Sequence, residues 1–303
     1  MKKDSPKKKR RGCLGLCVSM VVVLLLVAAT LLTVSHGTPQ TEGLNKRLTI
    51  LTYNTHRMGM YAKADKNRVI RYLQRQDADI VFLQEVEVYK DDHYLTLPEL
   101  RQAMRQYPYS YYDFKIYNKR RQYGIVVYSK YPLIHKQTIR YTSRGNISNF
   151  CDAIVGEDTI RLFNNHLESN RLVVQDLPDE IETESVKSSA QHVAEKLQSA
   201  RAIRKEQTRI VRQTIQQSPY PVIVAGDFNA IPLSRAYLTI RNWQLRDCFL
   251  SGSKGRLGWT LSKHGLGVRI DYILCSRIFR PAEFRVEKVN YSDHYPCITT
   301  LYY

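Results

Sequence analysis

Side chains that suit metal-assisted chemistry follow several short apolar runs of this 303-residue chain, at the points where strands should end. They are carboxylates, carboxamides and imidazoles. The set comprises Asn54, Glu85, His166, Asp227, Asn229, Asp293 and His294. If the strand ends converge, these residues form one site that rigid elements hold in place.

Carboxylate and carboxamide oxygens are hard ligands, of the kind that holds Mg²⁺ or Mn²⁺ together with water and substrate phosphate. Two histidines beside such a cation can bind a phosphate and transfer protons. The combination is typical of a hydrolase that acts on phosphoric esters. The sequence has no serine nucleophile elbow, no glycine-rich phosphate loop and no His-Glu-x-x-His zinc motif.

Five ordered motifs resemble the endonuclease/exonuclease/phosphatase superfamily, and they extend over residues 47–303. They are Asn54, Gln84-Glu85, Gly226-Asp227-Phe228-Asn229, Arg269-Ile270-Asp271-Tyr272-Ile273 and Ser292-Asp293-His294. The stretch 124–132 is also similar to the central strand and turn of that family. The resemblance implies an α/β (α+β) four-layer sandwich, in which two mixed β-sheets pack face to face between flanking helices.

The resemblance also implies which residues bind the metal and the phosphate. Glu85 would be the main metal carboxylate, with Asn54 and Asp293 as further ligands of Mg²⁺, or of Mn²⁺. Asn229 would hold the phosphate, and Asn54 would contact it as well.

Four residues would be catalytic by the same resemblance. Asp227 would position or deprotonate the attacking water, and His294, oriented and charged by Asp271, would stabilise charge in the transition state. His166 matches the second histidine of the deoxyribonuclease and sphingomyelinase branches, where it can protonate the leaving group. Pancreatic-type deoxyribonucleases pair that histidine with an acid just before the central strand, but residues 119–123 contain no acid.

Short apolar runs predict the strands of the sheets, and two polar-faced stretches, 66–76 and 184–217, predict helices. The strands are expected at 48–53, 80–83, 124–128, 159–164, 222–225, 269–274 and 298–302. Segment 169–217 is acidic in its first half and basic in its second, which favours a solvated surface helix. A flap over the site stays open as an alternative for residues 169–186.

The net charge of +18 has two sources. Residues 1–12 carry seven basic side chains and one acid, so +6 belongs to this tail and +12 to the rest. The next 29 residues, 13–41, are uncharged, and 14–34 form an apolar run that is long enough, as a helix, to cross a bilayer.

These features predict four regions: a basic cytoplasmic tail (1–12), a transmembrane signal anchor (13–35), a linker (36–46) and one catalytic domain (47–303). Because basic residues precede the span, we expect a single-pass protein of the cell membrane whose catalytic domain is extracytoplasmic. A cleaved signal peptide is the alternative, although it usually has a shorter apolar core.

Other residues that could do chemistry are interpreted as structural. We expect the four cysteines of the domain to be small buried apolar residues instead of disulfides or zinc ligands. Isolated aspartates and histidines are expected to be caps, turn residues or surface residues. They are Asp152, Asp247, His36, His56, His135, His192 and His264.

The leading functional prediction is a Mg²⁺-dependent phosphodiesterase or endonuclease that cleaves nucleic acid outside the cytoplasm, because a basic surface attracts polyanions. A phospholipid or sphingomyelin phosphodiesterase and an inositol-phosphate phosphomonoesterase are alternatives within enzymes. A membrane-tethered binding protein without catalysis is an alternative of another class. No obligate protein partner is expected.

Overall fold

A computed structural model describes residues 43–59, 62–169, 185–253, 258–263 and 266–303. Two six-stranded β-sheets form the body of the molecule. The first contains β1 (Arg47–Asn54), β2 (Ile80–Tyr89), β3 (Tyr109–Tyr117), β4 (Arg121–Ser129), β13 (Arg280–Val286) and β14 (Cys297–Tyr302). The second contains β5 (Leu133–Ile139), β6 (Ile147–Val155), β7 (Asp158–His166), β8 (Val222–Asp227), β9 (Leu245–Asp247) and β12 (Asp271–Ser276). A separate antiparallel pair consists of β10 (Leu261–Lys263) and β11 (Leu266–Val268).

Each sheet contains one parallel pair among antiparallel neighbours, so both sheets are mixed. The strand order is β13-β14-β1-β2-β4-β3 in the first sheet and β5-β6-β7-β8-β12-β9 in the second. The parallel pairs are β1 with β2 and β7 with β8. Since parallel neighbours end at the same edge, each pair delivers its last residues to one place.

Three apolar clusters hold four layers together. Between the sheets, Ile50 and Phe82 of the first sheet belong to the same buried cluster as Leu162 and Ile223 of the second. A second cluster covers the outer face of the first sheet, and a third covers the outer face of the second. Burial of strand residues on both faces explains why these strands read as continuous apolar runs.

Helices cover the two outer faces, and local sequence explains where they begin. On the first sheet lie α1 (Arg68–Gln74) and α2 (Leu97–Ala103). The α2 N-terminus is a capping box. The Thr96 side chain accepts from the Glu99 backbone N–H, and the Glu99 side chain accepts from the Thr96 backbone N–H. The second sheet is covered by α3 (Ser185–Gln216) and α4 (Arg235–Arg241), and the short α5 (Cys248–Gly252) contacts β13.

The predicted mixed, helix-flanked sandwich is therefore confirmed, and every predicted strand is present with shifted ends. The helices predicted at 66–76 and 184–217 are present as α1 and α3. The possible flap at 169–186 falls largely on residues outside the described part of the chain. Cys151, Cys248, Cys275 and Cys297 are buried free thiols, as predicted.

The proposed membrane anchor lies outside the described residues, as do the basic tail and most of the linker. Within the described ranges, no helix combines the length and the apolar character that crossing a membrane requires.

Candidate active site

The predicted site residues lie at one edge of the sandwich, where strands of both sheets end. Asn54 ends β1, His166 ends β7 and Asp227 ends β8. His166 and Asp227 are direct partners in the β7–β8 ladder, and Asp227 is opposite Asp271, the first residue of β12. The topology alone therefore places a carboxylate pair and an imidazole side by side.

A β-bulge places Glu85 in this edge. The β2–β4 register shifts between Leu83 and Val86, and Glu85 adopts a left-handed backbone with φ 53°. The Thr55 hydroxyl is within hydrogen-bond distance of the Gln84 and Glu85 carbonyls, at 3.0 and 3.1 Å. Thr55, which directly follows β1, thus holds Glu85 in its strained backbone conformation.

Gly226 brings β7 and β8 together just before the site. Its φ is +126°, and a Cβ at this position would lie 2.0 Å from the carbonyl oxygen of Asn165. Only glycine tolerates both conditions. The close approach explains why the motif Gly226-Asp227 precedes the site residues.

Asp227 is the centre of the hydrogen-bond network. Its Oδ2 accepts from Asn54 Nδ2 at 3.0 Å and from Asn229 Nδ2 at 3.2 Å, and its Oδ1 accepts from the Asn229 backbone N–H at 2.8 Å. Burial, followed by the charge of Asp271, raises the pKa of Asp227 to about 6, although His294 and His166 oppose the shift. The group can therefore exchange a proton near neutral pH.

His294 is held by a second carboxylate. Its Nδ1 lies 2.9 Å from Asp271 Oδ2, and its Nε2 faces Asp227 Oδ2 at 3.8 Å. Burial disfavours the protonated imidazole, but the charges of Asp271 and Asp227 outweigh burial and raise the pKa of His294 to about 10. His294 is therefore a buried cation at neutral pH.

His166 lies on another side of Asp227. Its Nε2 is 3.7 Å from Glu85 Oε1 and 3.9 Å from Asp227 Oδ2. Its Nδ1 is buried and has no hydrogen-bond partner among the residues that the structure describes. Among the described residues no carboxylate pairs with this Nδ1, in keeping with the lack of an acid at 119–123.

The donor set fits a divalent metal ion. Glu85 and Asp227 are buried carboxylates that accept from the same Asn54 amide nitrogen, at 3.1 and 3.0 Å, so one neutral group separates two negative charges. Asp227, Asp271 and His294 also present atoms within 4.8 Å of one another, but protonated His294 has no lone pair for a metal, so the carboxylates of this group are its candidate ligands. Hard oxygen donors of this kind suit Mg²⁺ or Mn²⁺.

Two predicted ligands have a different environment from Glu85. The Asn54 oxygen accepts from the His56 backbone N–H at 3.1 Å, so in this conformation Asn54 is a donor to the carboxylates. Asp293 is partly exposed, and its Oδ1 lies 2.8 Å from His56 Nδ1. Metal ligation by Asn54 and Asp293 stays a prediction.

His56, which was interpreted as a structural residue from the sequence, lies at the rim of the site, where its Nδ1 meets Asp293. It begins a turn, His56–Gly59, in which His56, Arg57 and Met58 all have positive φ. Its position two residues after Asn54 is the one signal that could have indicated a place near the site. Of the other residues interpreted as structural, Asp247 is the N-cap of α5. Asp152 lies away from the site and forms hydrogen bonds with Arg161 and His135.

Comparison with known protein families identifies the chain. Residues 51–294 match the endonuclease/exonuclease/phosphatase family. The chain belongs to this family. It is therefore a metal-dependent hydrolase of phosphoric ester bonds, in agreement with the carboxylate and histidine set just described.

Solved structures show the same fold at low sequence identity. A family protein from Beutenbergia cavernae is 18% identical with a TM-score of 0.63, over 85% of this chain and 72% of its own. One from Leptotrichia buccalis is 17% identical with a TM-score of 0.58, over 84% and 100%. TDP2 from C. elegans is 17% identical with a TM-score of 0.55, over 86% and 77%. The comparison with curated proteins gave no match.

Proposed function

We propose that this hydrolase is a Mg²⁺-dependent phosphodiesterase that cleaves nucleic acid outside the cytoplasm, held at the membrane by residues 13–35. One observation carries the proposal: His294 and His166 both place Nε2 within 4 Å of Asp227 Oδ2. A buried charged imidazole and a second imidazole, which also faces Glu85 at 3.7 Å, thus flank one carboxylate.

The three side chains suit the steps of phosphodiester hydrolysis. Asp227, with a pKa of about 6, aligns the attacking water and accepts its proton. Protonated His294 donates a hydrogen bond to a non-bridging phosphate oxygen, where charge accumulates in the transition state. His166 gives a proton to the leaving oxygen on the other side of the phosphorus.

A metal held by Glu85 would polarise the phosphate and neutralise part of its charge when bound. The Asn229 side chain is held in place, because its Nδ2 donates to the Leu167 carbonyl at 2.9 Å and to Asp227 Oδ2 at 3.2 Å, and one of these donors would turn to the phosphate when substrate binds. These groups pre-organise the site before the substrate arrives.

Nucleic acid is the favoured substrate because of the charge of the domain. Residues 47–303 hold the +12 that remains outside the basic tail, and a cationic surface raises the affinity for a polyanion. His166 also matches the second histidine of both the deoxyribonuclease and the sphingomyelinase branches. A lipid phosphodiesterase is therefore the second candidate to test beside the nuclease.

The test is a substrate panel on the full chain in detergent, with Mg²⁺, Mn²⁺ or EDTA. The panel contains plasmid DNA, RNA, sphingomyelin and phosphatidylglycerol vesicles, and an inositol phosphate. We expect EDTA-sensitive cleavage of DNA or RNA that His294→Ala lowers by about 10²–10³-fold.

His135→Ala is the matched control. His135 also pairs its Nδ1 with a buried aspartate, Asp152 at 3.0 Å, but it lies away from the site, so this variant should keep full activity. If lipid headgroups are released while nucleic acid stays intact, the proposal is wrong and the protein is a lipid phosphodiesterase. If the protein binds polyanions without hydrolysing any substrate, and Glu85→Ala does not change that binding, it is a binding protein.

A further inference from the structure

A cationic corner lies at the opposite end of the sandwich from the candidate active site. We define the basic corner by six residues: Arg241, Trp243, Arg246, Arg277, Ile278 and Arg280. The β12 strand starts at Asp271 in the site and ends at Ser276, immediately before Arg277. Six residues of extended chain correspond to about 20 Å.

Within the described residues, no acid forms a salt bridge with Arg241, Arg246, Arg277 or Arg280. They line or border a surface depression of about 680 Å³, in which Asp247 is the one acid among the described lining residues. Asp247 is buried and already accepts from Arg269, from the Tyr237 hydroxyl and from the Phe249 N–H. Its negative charge is therefore already compensated by Arg269 in the core and does not neutralise the arginines of the corner.

The guanidinium groups crowd one another and retain donor capacity. Burial, followed by the charges of Arg280 and Arg277, lowers the pKa of Arg246. The Nε atoms of Arg241 and Arg246 are buried and lack a hydrogen-bond partner within the described part of the chain. An anion seated in the depression would supply acceptors and relieve the repulsion.

Apolar side chains project from the same corner. Trp243 is 73% exposed and Ile278 is 53% exposed. The Trp243 backbone is fixed, because its N–H donates to Asn242 Oδ1 at 2.7 Å and its carbonyl accepts from Arg277 at 2.7 Å. Exposed tryptophan among arginines is typical of a surface at the level of lipid headgroups.

The N-terminal segment joins the domain at this end. The β1 strand runs from Arg47 to Asn54 in the site, so the connection to residues 1–46 lies about 23 Å from that edge. Arg47 pairs with Tyr302, and Tyr302 pairs with Arg280. Arg280 is thus two strands from the chain entry, about 10 Å away.

We propose that the basic corner rests on an anionic lipid surface, so that the candidate active site faces away from the membrane. The inference rests on the proposed anchor and sharpens the proposed function. A site directed into solution selects a soluble phosphodiester, such as nucleic acid, over the phospholipids of the membrane that carries the protein.

Fluorescence quenching of Trp243 tests this orientation. The full chain with Trp259→Phe, whose only tryptophan is Trp243, is reconstituted in phosphatidylcholine vesicles with or without phosphatidylglycerol. The lipids carry bromine near the headgroup end of the acyl chain. We expect strong quenching with phosphatidylglycerol and its loss in Arg277→Gln/Arg280→Gln.

Three controls separate the outcomes. Arg277→Lys/Arg280→Lys should keep the quenching, and Arg71→Gln/Arg105→Gln, which removes the same charge from exposed residues elsewhere, should keep it too. All arginine variants should keep the cleavage rate of the wild type, so a failure here is distinguishable from a failure of the proposed function.

The proposal is overturned if phosphatidylglycerol vesicles do not quench Trp243, if the protein does not bind vesicles, or if the glutamine variant is quenched like the wild type. Quenching by a single-stranded oligonucleotide in place of lipid, lost in the same variant, would make the corner a nucleic-acid surface and also overturn it.

Discussion

His294 lies between two carboxylates, with Nδ1 2.9 Å from Asp271 Oδ2 and Nε2 3.8 Å from Asp227 Oδ2. The first contact fixes the ring and the second points it at the reacting centre. Because both neighbours are negative, the pair stabilises the imidazolium form, which is the form that can stabilise a phosphorane-like transition state.

This geometry predicts how Asp271→Asn changes the pH dependence. Asp227 must be ionised and His294 protonated, so activity should rise through pH about 6 and fall through pH about 10. The Asp271 charge raises both pKa values, and its removal should therefore shift both limbs to lower pH. Histidine NMR of the metal-free protein should show the same downward shift for His294, toward 6.5. A titration of His294 that Asp271→Asn leaves unchanged would contradict the assignment.

The role of His166 predicts a dependence on the leaving group. A nucleoside alkoxide needs a proton when it departs, whereas nitrophenolate does not. His166→Ala should therefore lower kcat/KM for a dinucleotide by about 10²–10⁴-fold and for a nitrophenyl phosphodiester much less. Equal losses on both substrates would show that His166 only binds phosphate.

Much of this site could be predicted from the sequence because strand ends are local features. Asn54, Glu85 and Asp227 each follow an apolar run, and sheets with parallel pairs bring such ends together. The left-handed conformation of Glu85 could not be predicted, since the bulge depends on pairing with β4, a strand far along the chain.

The partly exposed strands were the hardest to find. β5 has five consecutive exposed residues, and β3 alternates weakly, so neither has the continuous apolar run that marks β8. The pairing of His56 with Asp293 also required the structure, because the two residues are 237 positions apart and His56 belongs to none of the motifs that marked the site.

The contact between β7 and β8 predicts the effect of Gly226→Ala. The new Cβ would meet the Asn165 carbonyl at 2.0 Å in a backbone conformation that alanine disfavours. We expect a loss of about 3 kcal/mol or more in the free energy of unfolding, or insoluble protein. Gly156→Ala, also at positive φ but with open space around it, is the control and should cost about 1 kcal/mol. Equal melting temperatures for the two variants would refute the close approach.

A buried ion pair below the site predicts a stability effect without a direct catalytic role. Arg269 is 1% exposed, and its Nη1 bonds both oxygens of Asp247 at 3.0 and 2.8 Å. Arg269→Met leaves Asp247 buried without its cation and should cost about 3–5 kcal/mol by chemical denaturation. Arg209→Met removes the partner of an exposed Glu206 and should hardly change the denaturation midpoint. A small effect of Arg269→Met would contradict a dependence of the buried Asp247 side chain on this guanidinium.

The central claim is that Glu85 supports metal-dependent hydrolysis of a phosphodiester in this site. The most direct measurement is kcat/KM for a nucleic-acid substrate at saturating Mg²⁺ in the wild type, in Glu85→Gln and in Glu157→Gln, an exposed glutamate in the β6–β7 turn. The structure predicts that Glu85→Gln loses at least about 10²-fold, while Glu157→Gln matches the wild type. Wild-type activity that persists in EDTA and is unchanged in Glu85→Gln would contradict the claim.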